Sequence, residues 1–140
     1  MALTYLLDTS AWLAHIFDEP GAEAITSLLE DPNIELVVSA LSIVEVHGRF
    51  RARRRTAEFV EVMDIYRQLF SRIIPANEAV ALQAIALREG ASARIPAIDS
   101  LIAATAAHHN AILVHRDRHF SALPGDQMRQ LYLDETGHIR

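Results

Sequence analysis

The sequence predicts an α/β protein in three layers, α/β/α: a central, mostly parallel sheet of four to five strands with helices packed on both faces. Three observations predict it. Short apolar segments alternate along the chain with longer segments of helical period. The short segments Leu3 to Leu7, Ile34 to Val38 and Ala111 to Val114 are apolar almost throughout instead of alternating, as strands buried on both faces are. A chain of 140 residues, 51% hydrophobic and 22% charged, supplies one core, and no repeat, linker or low-complexity stretch divides it. Residues 1–140 are therefore expected to form a single domain.

Each element has a local reason. Leu3 to Leu7 is the first strand, and Asp8-Thr9-Ser10 is a helix-start signal for a short helix over Ala11 to Phe17. Glu19-Pro20-Gly21 breaks that helix. Ala22 to Leu29 resumes helical spacing, and Asp31-Pro32-Asn33 turns the chain into the second strand, Ile34 to Val38. Ser39 to Ser42 opens a helix that carries Glu45. Phe59, Val60, Met63, Tyr66, Leu69 and Phe70 give residues 56–70 an amphipathic pattern. Ile73-Ile74-Pro75 reads as a short strand. Asn77 caps a further helix that Gly90 ends. Ile95 to Asp99 leads into an alanine-rich helix reaching His109. Ala111 to Val114 is the third clear strand, His115 to Phe120 a turn or short helix, and Gln130 to Leu133 a final strand. Right-handed crossovers are expected between parallel strands.

Composition excludes several chemistries. With no cysteine there is no disulfide framework, thiolate metal site or cysteine nucleophile, which fits a reducing compartment. All 13 basic residues are arginine, so a phosphate-binding loop built on lysine is excluded, and lysine-dependent Schiff-base and aspartyl-phosphate chemistry are disfavoured. The apolar start from Met1 to Phe17 has no positively charged beginning and holds Asp8 at its middle, unlike a signal peptide. No apolar run reaches the roughly 18 residues needed to span a bilayer. The expectation is a cytoplasmic protein with no membrane partner. A formal net charge of −5 speaks against general nucleic-acid affinity. Five arginines between Arg49 and Arg55 nevertheless concentrate positive charge.

In open α/β sheets, sites form beyond the C-terminal ends of the strands. Asp8 directly follows the first strand and Asp117 closely follows the third. Glu45 lies on the helix after the second strand, and Asp99 at the start of the alanine-rich helix. Four acids from separated segments are thus able to meet at one rim. Carboxylates gathered this way repel one another unless a cation lies between them. Magnesium, a hard ion that takes oxygen ligands, suits them. A pair of such ions clamps a phosphodiester and activates water without lysine, cysteine or a covalent intermediate.

Each acid also has a purely structural reading. Asp8 is placed to cap a helix. Ser42-Ile43-Val44-Glu45 matches a capping box. Asp99 complements a helix dipole, and Asp117 suits a turn. His115-x-Asp117-x-His119 offers ligands for a transition metal if the strand stays extended. Arg49, Arg51, Arg53, Arg54 and Arg55 are RNA-contact candidates, a solvated helix end, or a dock for an acidic partner. The amphipathic segment over residues 56–70 is chiefly core, with a share left for a homodimer face or a partner groove.

The surroundings of the four acids resemble the motif blocks of PIN-domain ribonucleases, and more narrowly the VapC-type toxins of toxin–antitoxin pairs. Leu6-Leu7-Asp8-Thr9-Ser10 is similar to the opening block and Ser39 to Val46 to the block that delivers a glutamate. Ile98-Asp99-Ser100-Leu101-Ile102-Ala103-Ala104-Thr105-Ala106 is the most specific match. Leu113 to Phe120 is similar to the closing block. The blocks occur in the family's order, and the likeness runs from residue 4 to about residue 133. The resemblance implies a Mg2+- or Mn2+-dependent endoribonuclease in which Asp8, Glu45, Asp99 and Asp117 hold metal and water attacks in line at phosphorus. The products would carry a 5′-phosphate and a 3′-hydroxyl. It further implies a tRNA or rRNA substrate, a cognate antitoxin and a homodimer. Ser10 would be an auxiliary hydroxyl beside metal or phosphate. His115 departs from the family's usual threonine or serine and would share that auxiliary place; His119 stands where many relatives carry a second aspartate. Two other classes compete. One is a non-catalytic PIN-like module that binds RNA or protein. The other is a haloacid-dehalogenase-like phosphatase, which wants an aspartate where Ser10 stands and a lysine that is missing.

Overall fold

The computed structural model describes residues 2–134, so the two ends of the expected 1–140 unit lie outside the described residues. The chain runs β1 (Leu3–Leu7), α1 (Thr9–Ile16), α2 (Ala22–Glu30), β2 (Ile34–Ser39), α3 (Leu41–Ala52), α4 (Thr56–Leu69), β3 (Arg72–Ile74), α5 (Glu78–Gly90), α6 (Ala97–His108) and β4 (Ile112–His115). A 3-10 turn (Arg118–Ala122) and β5 (Arg129–Tyr132) complete it. The five strands form one sheet in the order β3-β2-β1-β4-β5, and every pairing is parallel. The expected three-layer α/β/α class is thus the one observed, at the upper end of the expected strand number.

The near-continuous apolar strands divide their side chains between two cores, because successive residues of a strand face opposite ways. Leu6, Val37, Ile74 and Leu113 join one core, with Val80, Ala84 and Leu87 of α5 and Ile102, Ala103 and Ala106 of α6. Leu7, Leu36, Val38 and Val114 join the other, with Trp12, Ile25, Val46, Phe50, Met63 and Tyr66 from α1 to α4. Trp12 anchors this second core through edge-on contacts with Tyr66 and Phe70, at 5.6 and 5.2 Å between ring centroids. Phe59, Met63, Tyr66 and Phe70 of the amphipathic segment therefore face inward, while Val60, Ile65 and Leu69 stay exposed.

Strand order fixes where a site can form. From β1 the chain moves outward through β2 to β3, then returns to the other side of β1 to lay down β4 and β5. The order reverses between β1 and β4, and a crevice opens there beyond the strands' C-terminal ends. Asp8 and Asp117 follow those two strands.

Several boundaries differ from the sequence reading for local reasons. α1 begins at Thr9, because Asp8 itself is the N-cap and accepts the Ala11 amide at 2.8 Å. β2 extends to Ser39, whose hydroxyl accepts the Leu41 amide. α3 therefore starts before Ser42, and Glu45 sits inside it, past the N3 place that a capping box needs. Gly90 is the last residue of α5 and not a left-handed stop. Its missing Cβ leaves room for Pro124 and Gln127, each 3.2 Å from where that atom would be.

Candidate active site

Each acid reaches the crevice by a different local device. Asp8 is buried at the N-terminus of α1. Its carboxylate accepts the Ala11 amide and, at 2.7 and 2.8 Å, the Ser10 hydroxyl. Ser10 in turn accepts the Arg116 amide at 2.8 Å, tying the end of β1 to the end of β4. Glu45, in the second turn of α3, is held by the Thr9 hydroxyl, which is also 3.1 Å from Ser42 Oγ. Asp99 is the third residue of α6, in the turn where unpaired amides favour negative charge. Asp117 caps the 3-10 turn through the His119 amide at 2.9 Å.

Electrostatics show that the four acids share one neighbourhood. Burial pushes the Asp8 carboxyl up to about 7, and the negative charges of Asp117 and Asp99 push the same way against its hydrogen bonds. Asp99 is raised by burial, then by Asp117 and by Glu45. His119 lies 3.1 Å from Asp117 and 3.8 Å from Asp99, measured from Nδ1, and partly offsets the effect on Asp99. Among the described residues, Asp99, Asp117 and His119 can offer three ligand atoms within 4.8 Å of one another. The structural readings of Asp8, Asp99 and Asp117 and their clustering hold together: each satisfies a backbone end or dipole while presenting its charge to the crevice.

The histidines flanking Asp117 part company, because the chain turns there. His119 joins the acids. His115 is buried, its Nε2 paired with Gln130 Oε1 at 2.8 Å and its Nδ1 accepting the Asp117 amide at 3.3 Å. With both nitrogens engaged, it orients Asp117 through the backbone. Burial lowers its pKa, which favours the neutral ring these contacts require.

Two contributors were missed from the sequence. Thr9 reads only as part of a helix start, and its reach to Glu45 depends on how α1 packs on α3. Glu19 reads as a helix breaker, yet it receives Arg116 at 3.2 Å and Arg53 at 3.4 Å. Within the arginine cluster, Arg53 also lies 3.9 Å over the Phe17 ring, and Arg55 pairs with Glu58. Arg49, Arg51 and Arg54 stand exposed near the end of α3. A cavity of about 430 Å3 borders the acids at Ser10 and Asp117 and is walled by Arg116, Arg118, Tyr132 and Asp134.

No helix among the described residues is long and apolar enough to cross a membrane. No curated protein sequence gives a significant match. Among solved structures, FitAcB from Neisseria gonorrhoeae is 26% identical, with a TM-score of 0.69 over 90% of this chain and 95% of that one. VapBC2 from Rickettsia felis, bound to a fragment of promoter DNA, is 21% identical, with a TM-score of 0.75 over 91% and 97%. VapBC-5 from Mycobacterium tuberculosis, of the VapBC family of toxin–antitoxin systems, is 20% identical, with a TM-score of 0.67 over 92% and 98%. These likenesses agree on the fold. The PIN domain family profile matches residues 5–126, which takes in the segments carrying all four acids, and on that match the chain belongs to the PIN-domain family.

Proposed function

We propose that this chain is a metal-dependent endoribonuclease and the toxin of a VapBC-like toxin–antitoxin pair, with one nuclease domain over residues 1–140. The observation that carries the reading is the set of carboxylates gathered at the strand-order reversal, where burial raises Asp8 and Asp99 and the neighbouring acids raise them further. Each acid serves a local structural role, but the repulsion within the group is relieved only when a cation answers it.

Asp8, Glu45, Asp99 and Asp117 are proposed to hold Mg2+ or Mn2+. The donors fit: carboxylate oxygens suit a hard divalent ion, and the adjacent imidazole of His119 is acceptable to manganese. When bound, the ion supplies positive charge and Lewis acidity to water and phosphodiester. The chain's own residues do the positioning. Ser10 holds Asp8 and the Arg116 amide in one hydrogen-bonded unit, Thr9 fixes Glu45, and His115 fixes Asp117. Arg116 and Arg53 meet at Glu19, and they with Arg49, Arg51, Arg54 and Arg55 would position RNA phosphates.

The solved VapBC complexes that match this chain support a cognate antitoxin as partner. Val60, Ile65 and Leu69 of α4 supply exposed apolar surface for that protein or for a second copy in a homodimer. The substrate would be tRNA or rRNA in the cytoplasm.

The test is cleavage of cellular RNA by purified protein with Mg2+, with Mn2+ and with chelator, beside Asp99→Asn. Cleavage should require metal and fall at least about 100-fold in the variant, as loss of an essential electrostatic group does. Equal cleavage by the variant, or cleavage in chelator, would overturn the assignment. RNA binding without cleavage in any metal would favour the non-catalytic binding module.

A further inference from the structure

A second cavity, of about 340 Å3, opens between the 3-10 turn and β5, lined by His115, Arg118, Ser121, Gln130 and Tyr132. Arg118 and Tyr132 also wall the cavity that reaches Ser10 and Asp117, so the two adjoin. The volume lies at the lower end of small-ligand pockets, large enough for one ring system and too small for a folded segment of a partner.

Its surfaces have a particular chemistry. The Tyr132 ring lies half-buried with the Arg118 guanidinium carbon 5.6 Å from its centroid. The His115 ring packs 5.6 Å from Tyr132 and 4.8 Å from Phe120, making an aromatic floor. The Gln130 amide is fixed at both ends. Its Oε1 pairs with His115, and its Nε2 donates to the Phe120 carbonyl at 2.9 Å. A carboxamide has two N–H groups and two carbonyl lone pairs, so one donor and one acceptor remain after those bonds. The cavity thus combines an aromatic ring and a guanidinium with a positioned carboxamide that keeps hydrogen-bonding capacity. Unpaired nucleobases are recognised by that combination, through stacking and through their hydrogen-bonding edges.

We propose that this cavity receives an unpaired base of the RNA, next to the phosphate that lies at the acids, and that Tyr132 and Gln130 set the base preference. The proposal rests on the nuclease reading for the position of that phosphate. Tyr132 supplies the stacking face and Gln130 reads the edge. His115 is a positioning residue for both sites, since its two nitrogens hold Gln130 and the Asp117 amide.

The test measures affinity for a short single-stranded RNA in chelator, with an abasic residue walked through the strand. Wild type should lose about 5- to 150-fold at one position, the worth of one stacked base. Tyr132→Ala should bind the intact strand that weakly and show no further loss with the abasic residue. Tyr132→Trp should restore both the affinity and the sensitivity, which separates lost stacking from a damaged edge strand. Undiminished affinity in Tyr132→Ala, abasic effects that persist in it, or no RNA binding by wild type would each overturn the proposal. Adding Mn2+ to the same samples reads cleavage. Cleavage without any abasic sensitivity would remove the base site and leave the nuclease reading. Abasic sensitivity without cleavage would do the reverse.

Discussion

At the scale of single residues, Thr9 shows how a side chain outside the acids governs them. It belongs to the first turn of α1, yet its hydroxyl holds Glu45 on α3 and sits beside the buried Ser42. A carboxylate anchored this way keeps one orientation; released, it is free to turn away from its neighbours. Thr9→Val keeps the β-branched shape and removes only the hydroxyl. Metal affinity, read by calorimetry, should fall about 10- to 100-fold, the usual cost of losing a partner that orients a ligand. The melting temperature should move little, because Thr9 is only half-buried. A Thr9→Val protein with unchanged metal affinity would show that Glu45 lies outside the ion's reach. Thr9→Ser, which keeps the hydroxyl, should retain most of the affinity.

At the scale of elements, three helices end in the same way. After α1, α3 and α6 a residue adopts the left-handed conformation: Asp18 (φ 52), Arg54 (φ 56) and Asn110 (φ 53). Each is followed by a long amide bond back into the helix, from Glu19 to Ala14, Arg55 to Phe50 and Ala111 to Ala106, all at 2.8 Å. The first of these turns delivers Glu19 to Arg53 and Arg116. Asp and Asn tolerate the left-handed region, whereas arginine pays the Cβ penalty in full. Arg54→Gly should therefore stabilise the protein by up to about 1 kcal/mol, or a few degrees in a thermal melt. Gly21 is the converse case, with φ 104 and a hypothetical Cβ 3.0 Å from Leu133. Gly21→Ala should lower the melting temperature, and a shift of either variant in the other direction would contradict the backbone argument. These ends also mark what the sequence could not reveal. Strands and amphipathic helices were legible because periodicity and burial are local patterns, Asp8, Asp99 and Asp117 because each follows a strand or starts a helix, and Glu45, inside α3, through the likeness of its surrounding block to the family's. No sequence signal announces that Arg54 will turn left-handed. None shows that Thr9 will meet Glu45, or that Asp117 will turn the chain so that His115 and His119 face different neighbours. Those contacts are set by how separate elements pack.

At the scale of the whole molecule, the titration of the acids ties the stability of the fold to pH, and the proposed metal binding to the same protons. Unfolded, Asp8 titrates near its ordinary value of 3.8; folded, burial holds it at about 7, and Asp99 shifts in the same direction. Between those values the folded protein binds more protons than the unfolded chain, so its stability falls as pH rises. The favourable contribution is complete below about pH 4 and gone above about pH 7, where the ionised, buried Asp8 costs the fold on the order of a few kcal/mol. A divalent ion binds only the ionised form. Mg2+ or Mn2+ should thus raise the melting temperature strongly at pH 8 and hardly at pH 4, following the mass-action dependence on ion concentration. Asp8→Asn removes the charge while its side-chain oxygen still accepts the Ala11 amide. In chelator the variant should match wild type near pH 4 and become progressively more stable than it up to pH 7, while losing metal-dependent cleavage. Subtracting the variant from wild type cancels the other titrating groups, so a difference that stays flat across this range would mean that Asp8 is not held as a buried anion. A difference that grows with pH in chelator and shrinks when Mg2+ is added would mean that the fold carries an electrostatic cost which the ion relieves. The whole chain, at a net charge of −5, would then be an acidic protein whose cation strengthens its hold on RNA phosphate at the crevice between β1 and β4.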